Sequence, residues 1–133
     1  GATEGLHGQP VDAESESLRC YLVHHLADLD EERLFSVFLD ADGGYITGEV
    51  VSRGSRTAVP INCRAIFHRA LDLGAAGFIL AHNHCSGNIW PSREDRAATL
   101  QLNKIADAME IKFIDHLIVG KGKLFSMREG KVL

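Results

Sequence analysis

Residues 77–95 read GFILAHNHCSGNIWPSRED, and this segment indicates both the fold of the chain and its chemistry. The run Gly77-Phe-Ile-Leu-Ala81 is short, continuous and apolar, which is typical of a central strand buried on both faces. The Ser, Gly, Asn and Pro residues after His84 predict a loop, and Pro91 and Ser92 favour the start of a helix. The segment therefore predicts a strand, a polar loop and a helix in succession.

The flanking sequence predicts helices alternating with strands. Apolar residues at helical spacing predict helices over 15–29, 60–74 and 92–109. Two hairpins are expected, one from strands 34–39 and 45–52 and one from strands 113–119 and 123–127, with glycine-containing turns between them. This order indicates an α/β fold in which a mixed β-sheet is flanked by helices.

Length and composition indicate one soluble domain. The chain has 133 residues, of which we assign 1–14 to a flexible N-terminal arm and 15–133 to the folded domain. No apolar run approaches the length of a membrane helix and no signal segment opens the chain, so we expect a cytoplasmic protein without a membrane partner. The net charge of −4 gives no support to DNA as a partner, although it leaves DNA possible.

Two histidines and an aspartate suggest a metal site. His82 and His84 are two residues apart at the end of the predicted strand, so both imidazoles project to the same side. Asp95, in the first turn of the next helix, can supply a third ligand. Two nitrogens and one oxygen suit Zn²⁺, and three protein ligands leave the fourth tetrahedral position open to water, as in catalytic zinc sites.

Structural alternatives exist for the same residues. Ser92 and Asp95 also form a capping-box pattern, in which each side chain binds a free backbone N–H at the start of the helix. Cys85, beside His84, is either a bystander or an additional soft ligand. His116 is either a hydrogen-bonding partner of a ligand or a strand histidine held by a hydrogen bond of its own.

The spacing H-x-H-x₇-S-x₂-D, formed by His82, His84, Ser92 and Asp95, resembles the JAMM motif of the JAB1/MPN metalloproteases, and the longer string resembles the bacterial RadC branch. The likeness extends over residues 34–133 and includes the segments 48–54, 81–84, 91–95 and 115–120. The resemblance implies an α/β sandwich related to the cytidine deaminases. It also implies a zinc metallopeptidase or isopeptidase that cleaves a peptide or protein substrate with a zinc-activated water.

The resemblance further implies roles for two more residues. Glu49 is the residue that matches the family's general acid/base, and Ser92 would stabilise the oxyanion. From the sequence alone, Glu49 could equally be a solvated residue of a hairpin strand, and Ser92 could be only a helix cap. Cys85 stands where RadC-like sequences usually carry proline. No residue pattern selects a substrate or an oligomeric state.

A second hypothesis keeps the metal but not the reaction. In this alternative the domain is a DNA-repair-associated, metal-binding interaction module with little or no turnover. The presence of Glu49 favours catalysis, because inactive members of metalloenzyme folds commonly lose the acid/base or a ligand. A metal-dependent nuclease is disfavoured by the acidic composition and the single predicted metal.

Overall fold

The computed structural model describes residues 8–12 and 15–133 and shows three helices and six strands. The three helices are α1 (Glu16–Leu26), α2 (Cys63–Leu73) and α3 (Arg93–Met109). The six strands are β1 (Arg33–Leu39), β2 (Tyr45–Arg53), β3 (Gly77–Asn83), β4 (Lys112–Gly120), β5 (Lys123–Ser126) and β6 (Lys131–Val132). The predicted helices and hairpins are all present, so the α/β fold class is confirmed.

The strands form one sheet in the order β2-β1-β3-β4-β5-β6. Only β3 and β4 are parallel, and α3 makes the crossover between them, as a parallel connection requires. All other neighbours are antiparallel. The seven residues of β3 are all buried, because β3 is a central strand with helices over both faces.

Each face of the sheet has its own hydrophobic core. The core on the α1 side contains Leu18 and Leu22 of the helix and the alternate β3 residues Ile79 and Ala81. The opposite core lies under α2 and α3 and contains the other β3 set, including Leu80. The alternation follows from the two-residue repeat of a strand. It directs His82, two residues after Leu80, to the face covered by α2 and α3.

The element boundaries differ from the predictions by more than one residue in three places, one of which is the start of α2, at Cys63 after the N-cap Asn62 and not at residue 60. Helix α1 ends at Leu26, before the predicted residue 29, because Ala27 is extended and Asp28 has a φ of 58°. Strand β3 continues through Asn83, because His82 pairs with Leu34 of β1 and Asn83 with Val119 of β4. His82 therefore belongs to the sheet itself.

The N-terminal residues that the structure describes are hydrogen-bonded to the β1–β2 turn. Gly8 donates to Tyr45 at 3.2 Å, and Val11 donates to Gly43 at 2.9 Å. This part of the expected arm is therefore attached to the domain, while its residues 1–7, 13 and 14 lie outside the described residues. Across the described part of the chain, no helix combines the length and apolarity needed to cross a bilayer.

Candidate metal centre

The residues predicted as metal ligands meet where β3 ends and α3 begins. His82 Nε2 lies 3.0 Å from His84 Nε2. The two carboxylate oxygens of Asp95 are each directed at one imidazole, with Oδ1 3.4 Å from His82 Nε2 and Oδ2 3.2 Å from His84 Nε2. Zinc bonds of about 2.0–2.1 Å at tetrahedral angles place two ligand atoms about 3.3–3.4 Å apart. The three groups are therefore spaced like three corners of a zinc tetrahedron.

The protonation of His84 shows why this cluster suits a cation. His84 Nδ1 lies 2.6 Å from the carbonyl oxygen of Asn88, which can only accept, so Nδ1 carries the proton. The Nε2 atom of the neutral ring then presents a lone pair to the Asp95 carboxylate. Two electron-pair donors facing each other at 3.2 Å need a proton or a metal ion between them. The donor set of two imidazoles and one carboxylate fits Zn²⁺.

Asp95 is held in place by a capping box at the start of α3. Its Oδ2 accepts from the Ser92 N–H at 2.8 Å, and its own N–H donates to Ser92 Oγ at 3.0 Å. Burial on its own would raise the pKa of the Asp95 carboxyl, but hydrogen bonds to His82 and His84 outweigh it and hold the pKa well below its usual range. The hydrogen bond between Asp95 and His84 in turn raises the pKa of the His84 imidazole. One carboxylate thus caps α3 and, at the same time, faces the imidazoles of both candidate ligands.

Glu32, which the sequence analysis missed, lies beside the two histidines. Its carboxylate and the ring nitrogens of His82 and His84 all lie within 4.8 Å of one another. The reason is the register of the sheet: β1 runs antiparallel to β3 with Leu34 opposite His82, so the residue just before β1 reaches the end of β3. Glu32 is only 6% exposed, and burial raises its pKa although the two imidazoles oppose the change.

The structure does not bring Glu49 to the histidines. Glu49 lies on β2 opposite Ser36, which in turn pairs with Leu80, two residues before His82. Two strand spacings of about 5 Å each and two residues of about 3.3 Å each separate the backbones. Both Glu49 oxygens accept from the Arg69 guanidinium at 2.8 Å, and this pairing lowers the Glu49 pKa. The carboxylate that lies beside the two histidines is therefore that of Glu32, and the acid/base role of Glu49 stays a prediction.

Asn83, between the two histidines in sequence, fixes the backbone on both sides of Glu32. Its Oδ1 accepts from the Arg33 N–H at 2.8 Å, and its Nδ2 donates to the Glu31 carbonyl at 2.9 Å. Asn83 is 3% exposed. The tripeptide 82–84 thus supplies two candidate ligands and, between them, the amide that holds the backbone on both sides of Glu32.

We expect Asn83→Ala to lower the free energy of unfolding by about 1–3 kcal/mol, because it removes two hydrogen bonds to part-buried backbone groups, the Arg33 N–H and the Glu31 C=O. Chemical denaturation of the metal-free protein measures the change. Asn103→Ala, on the exposed surface of α3, is the matched control and should change stability by less than about 0.5 kcal/mol. Equal stability of the two variants would contradict the positioning role of Asn83.

Trp90 lies in the wall of a cleft beside the candidate ligands, whereas Cys85 lines a different pocket, next to Leu26 and Lys121. Burial raises the pKa of the Cys85 thiol, which disfavours the thiolate that a zinc ligand needs. The backbone N–H of Cys85, which proline would lack, interacts with the Glu32 carboxyl and lowers its pKa. Trp90 is 61% exposed and contacts Phe125 edge-on, with 5.2 Å between the ring centroids. The cleft has a volume of about 670 Å³, and its wall includes Glu32, Arg56, His84, Trp90, Ser92 and Asp95.

His116 lies behind His82 on β4. Its Nε2 is 2.8 Å from His82 Nδ1, and its Nδ1 is 2.8 Å from Thr99 Oγ1. Burial lowers the pKa of His116 to about 3, helped by the neighbouring His82, so the ring is neutral at physiological pH. Of the two readings of His116 from the sequence, the structure supports a hydrogen-bonding partner of His82.

Comparison with known proteins places the chain in a family. A family model described as a RadC-like JAB domain matches residues 13–132. A UPF0758 protein of Pasteurella multocida is 37% identical over 119 residues, which cover 90% of this chain and 53% of the relative. A UPF0758 protein of Actinobacillus pleuropneumoniae is 42% identical over 103 residues, which cover 77% of this chain and 47% of the relative. A UPF0758 protein of Chlorobaculum tepidum is 36% identical over 113 residues, which cover 85% of this chain and 51% of the relative. The chain spans about half the length of these curated relatives, and over that span it belongs to the RadC family as a RadC-like JAB domain.

Proposed function

We propose that this domain is a zinc-dependent hydrolase of the JAMM type, which cleaves peptide or isopeptide bonds. The observation that carries the proposal is the convergence of His82 Nε2, His84 Nε2 and the Asp95 carboxylate at 3.0–3.4 Å, with the buried carboxylate of Glu32 beside them. The distances between the three ligand atoms match the edge lengths of a zinc tetrahedron. The Asp95 carboxylate lies closer to both imidazoles than the Glu32 carboxylate does. Asp95 is therefore the third ligand in this proposal, and Glu32 is the acid/base.

The role of each group in the proposed reaction follows from its chemistry. Zinc, when bound, acts as a Lewis acid that lowers the pKa of a coordinated water to about 7. Glu32 accepts the proton of the attacking water on a carboxylate oxygen and then gives it to the leaving amine. Burial suits Glu32 to this task, because it raises the pKa of the carboxyl toward the range in which a proton can be both taken and returned.

Ser92 retains a proton that it can donate to the substrate. Its Oγ accepts from the Asp95 N–H in the cap, which leaves the hydroxyl hydrogen free to point into the cleft that Ser92 lines. A hydroxyl there can stabilise the negative charge that develops on the carbonyl oxygen during attack. The cleft of about 670 Å³ has room for several residues of an extended chain, which favours a peptide or protein substrate.

Zinc analysis combined with a cleavage assay tests the proposal. Protein stripped with a chelator and reloaded should hold one equivalent of zinc per chain. Peptide and isopeptide libraries incubated with it should show new amino and carboxyl termini by mass spectrometry, and a second chelator treatment should stop the cleavage. Cleavage that continues unchanged without metal would contradict zinc-dependent hydrolysis.

The same assay separates hydrolysis from the alternative of a metal-binding interaction module. If the domain only binds partners, one equivalent of zinc should be present without any cleavage product. The presence of a buried carboxylate next to the ligands favours the hydrolase, because a module that only binds metal has no need of a buried acid/base. Protein that binds no zinc would contradict both the zinc-dependent hydrolase and the metal-binding interaction module.

A further inference from the structure

A chain of three polar groups leads from His82 away from the cleft. His82 Nδ1 lies 2.8 Å from His116 Nε2, His116 Nδ1 lies 2.8 Å from Thr99 Oγ1, and Thr99 Oγ1 lies 3.6 Å from the sulfur of Met127. His116 is 1% exposed, while Thr99 and Met127 line a second groove between α3 and β4. The groups belong to α3, to β4 and to the turn after β5, and none of them lines the cleft with the candidate metal ligands.

The hydrogen bonds that link His82, His116 and Thr99 can run in either of two directions. In the first, Thr99 O–H donates to His116 Nδ1 and His116 Nε2–H donates to His82 Nδ1. The proton of His82 is then on Nε2, where it faces Asp95 Oδ1 at 3.4 Å and blocks metal coordination. In the second, His82 Nδ1–H donates to His116 Nε2 and His116 Nδ1–H donates to Thr99 Oγ1. Only this direction leaves a lone pair on His82 Nε2.

We propose that His116 and Thr99 are positioning residues that let His82 change tautomer when a metal ion binds, a proposal that rests on the zinc centre proposed above. The two directions contain the same number of protons. The change moves each imidazole proton from Nε2 to Nδ1 and turns the Thr99 hydroxyl from His116 to the sulfur of Met127. His82 thus becomes a ligand without an unpaired polar atom being left in the buried face of the sheet.

The geometry explains why a neutral histidine serves here. Metal-bound histidines usually donate their second N–H to a carboxylate or a carbonyl, both of which can only accept. A carboxylate or carbonyl behind His82 would hold the proton on Nδ1 permanently. A histidine both accepts and donates, so its own direction can reverse, provided that the group behind it can do the same. Thr99 meets that condition, because its hydroxyl can accept from His116 or donate to it.

Zinc affinity and imidazole tautomers test this inference in matched variants. Competition with a chromogenic chelator should show that His116→Leu weakens zinc binding by about 10–100-fold. His116→Gln should recover part of the loss, because its amide oxygen can accept from His82. Thr99→Val should weaken binding by about two- to tenfold, and Thr99→Ser, which keeps the hydroxyl, should recover most of it. His68→Leu, an exposed imidazole on α2, is the control.

The ¹⁵N shifts of the imidazoles give a readout that a loss of packing alone would not produce. In the wild-type protein, zinc should move the His82 proton to Nδ1 and the His116 proton to Nδ1 together. In Thr99→Val that joint change should be incomplete. If His116→Leu fails to fold, the two Thr99 variants decide the question.

The tests distinguish a failure of the tautomer relay, by which we mean the linked change in His82, His116 and Thr99, from a failure of the zinc site. Wild-type protein that binds no zinc overturns the metal centre and the relay together. If wild-type protein binds zinc and Asp95→Ala loses it, while Thr99→Val matches Thr99→Ser in affinity and in ¹⁵N shifts, the zinc site stands and the relay is overturned.

Discussion

Asp95→Ala is expected to lower zinc affinity by more than about 100-fold, which exceeds the usual effect of removing a group that only supports a ligand. Asp95 supplies the negative charge among the three proposed ligands, and both of its oxygens are directed at imidazole nitrogens. Without it, two neutral imidazoles remain, which is one ligand fewer than catalytic zinc sites normally have. Metal analysis after gel filtration and chelator competition measure the loss.

The capping role of Asp95 must be separated from its role as a ligand. Asp95→Asn keeps an oxygen that can accept from the Ser92 N–H, so the start of α3 should remain capped, but it removes the charge. We expect this variant to lose zinc while keeping most of its stability. Glu94→Ala, at the exposed neighbouring position, is the control and should keep its zinc. Full zinc content in both Asp95 variants would contradict the ligand set, and a loss in Glu32→Ala instead would make Glu32 the third ligand.

The elements of the fold could be predicted because their signals are local. The apolar run at 77–81 identifies β3, and the pattern Pro91-Ser92 followed by Asp95 identifies the start of α3. The three proposed ligands come from these adjacent elements, so their proximity follows from the order strand, loop, helix. The exact ends were not predicted, because pairing with β1 and β4 extends β3 to Asn83.

The partners that come from distant segments could not be predicted in the same way. Glu32 precedes His82 by 50 residues, and the two meet only because β1 is the antiparallel neighbour of β3. His116 meets His82 only because β4 is the parallel neighbour on the other side. Strand order is a tertiary property with no local signal. Glu49, by contrast, stands in a segment that resembles the family, and only the Arg69 pair shows that its carboxylate is engaged elsewhere.

Glu32→Gln is expected to reduce the rate of any zinc-dependent cleavage by about 10²–10⁴-fold, the usual contribution of a general acid/base. The glutamine side chain has the same shape but cannot take a proton from the attacking water. Zinc content should remain near one equivalent, since the proposed ligands are His82, His84 and Asp95. Steady-state rates with a cleavable peptide, measured together with metal content, separate a lost acid/base from a lost metal.

Glu49→Gln is the matched comparison, because it makes the same chemical change in the other candidate carboxylate. Its carboxylate forms an ion pair with Arg69 on α2, so the substitution should affect only that pair and leave cleavage close to the wild-type rate. The exposure of both side chains makes a large loss of stability unexpected as well. Full activity in Glu32→Gln together with loss in Glu49→Gln would return the acid/base role to Glu49. That result would require the Glu49 carboxylate to reach past β1, which lies between β2 and β3 in the sheet.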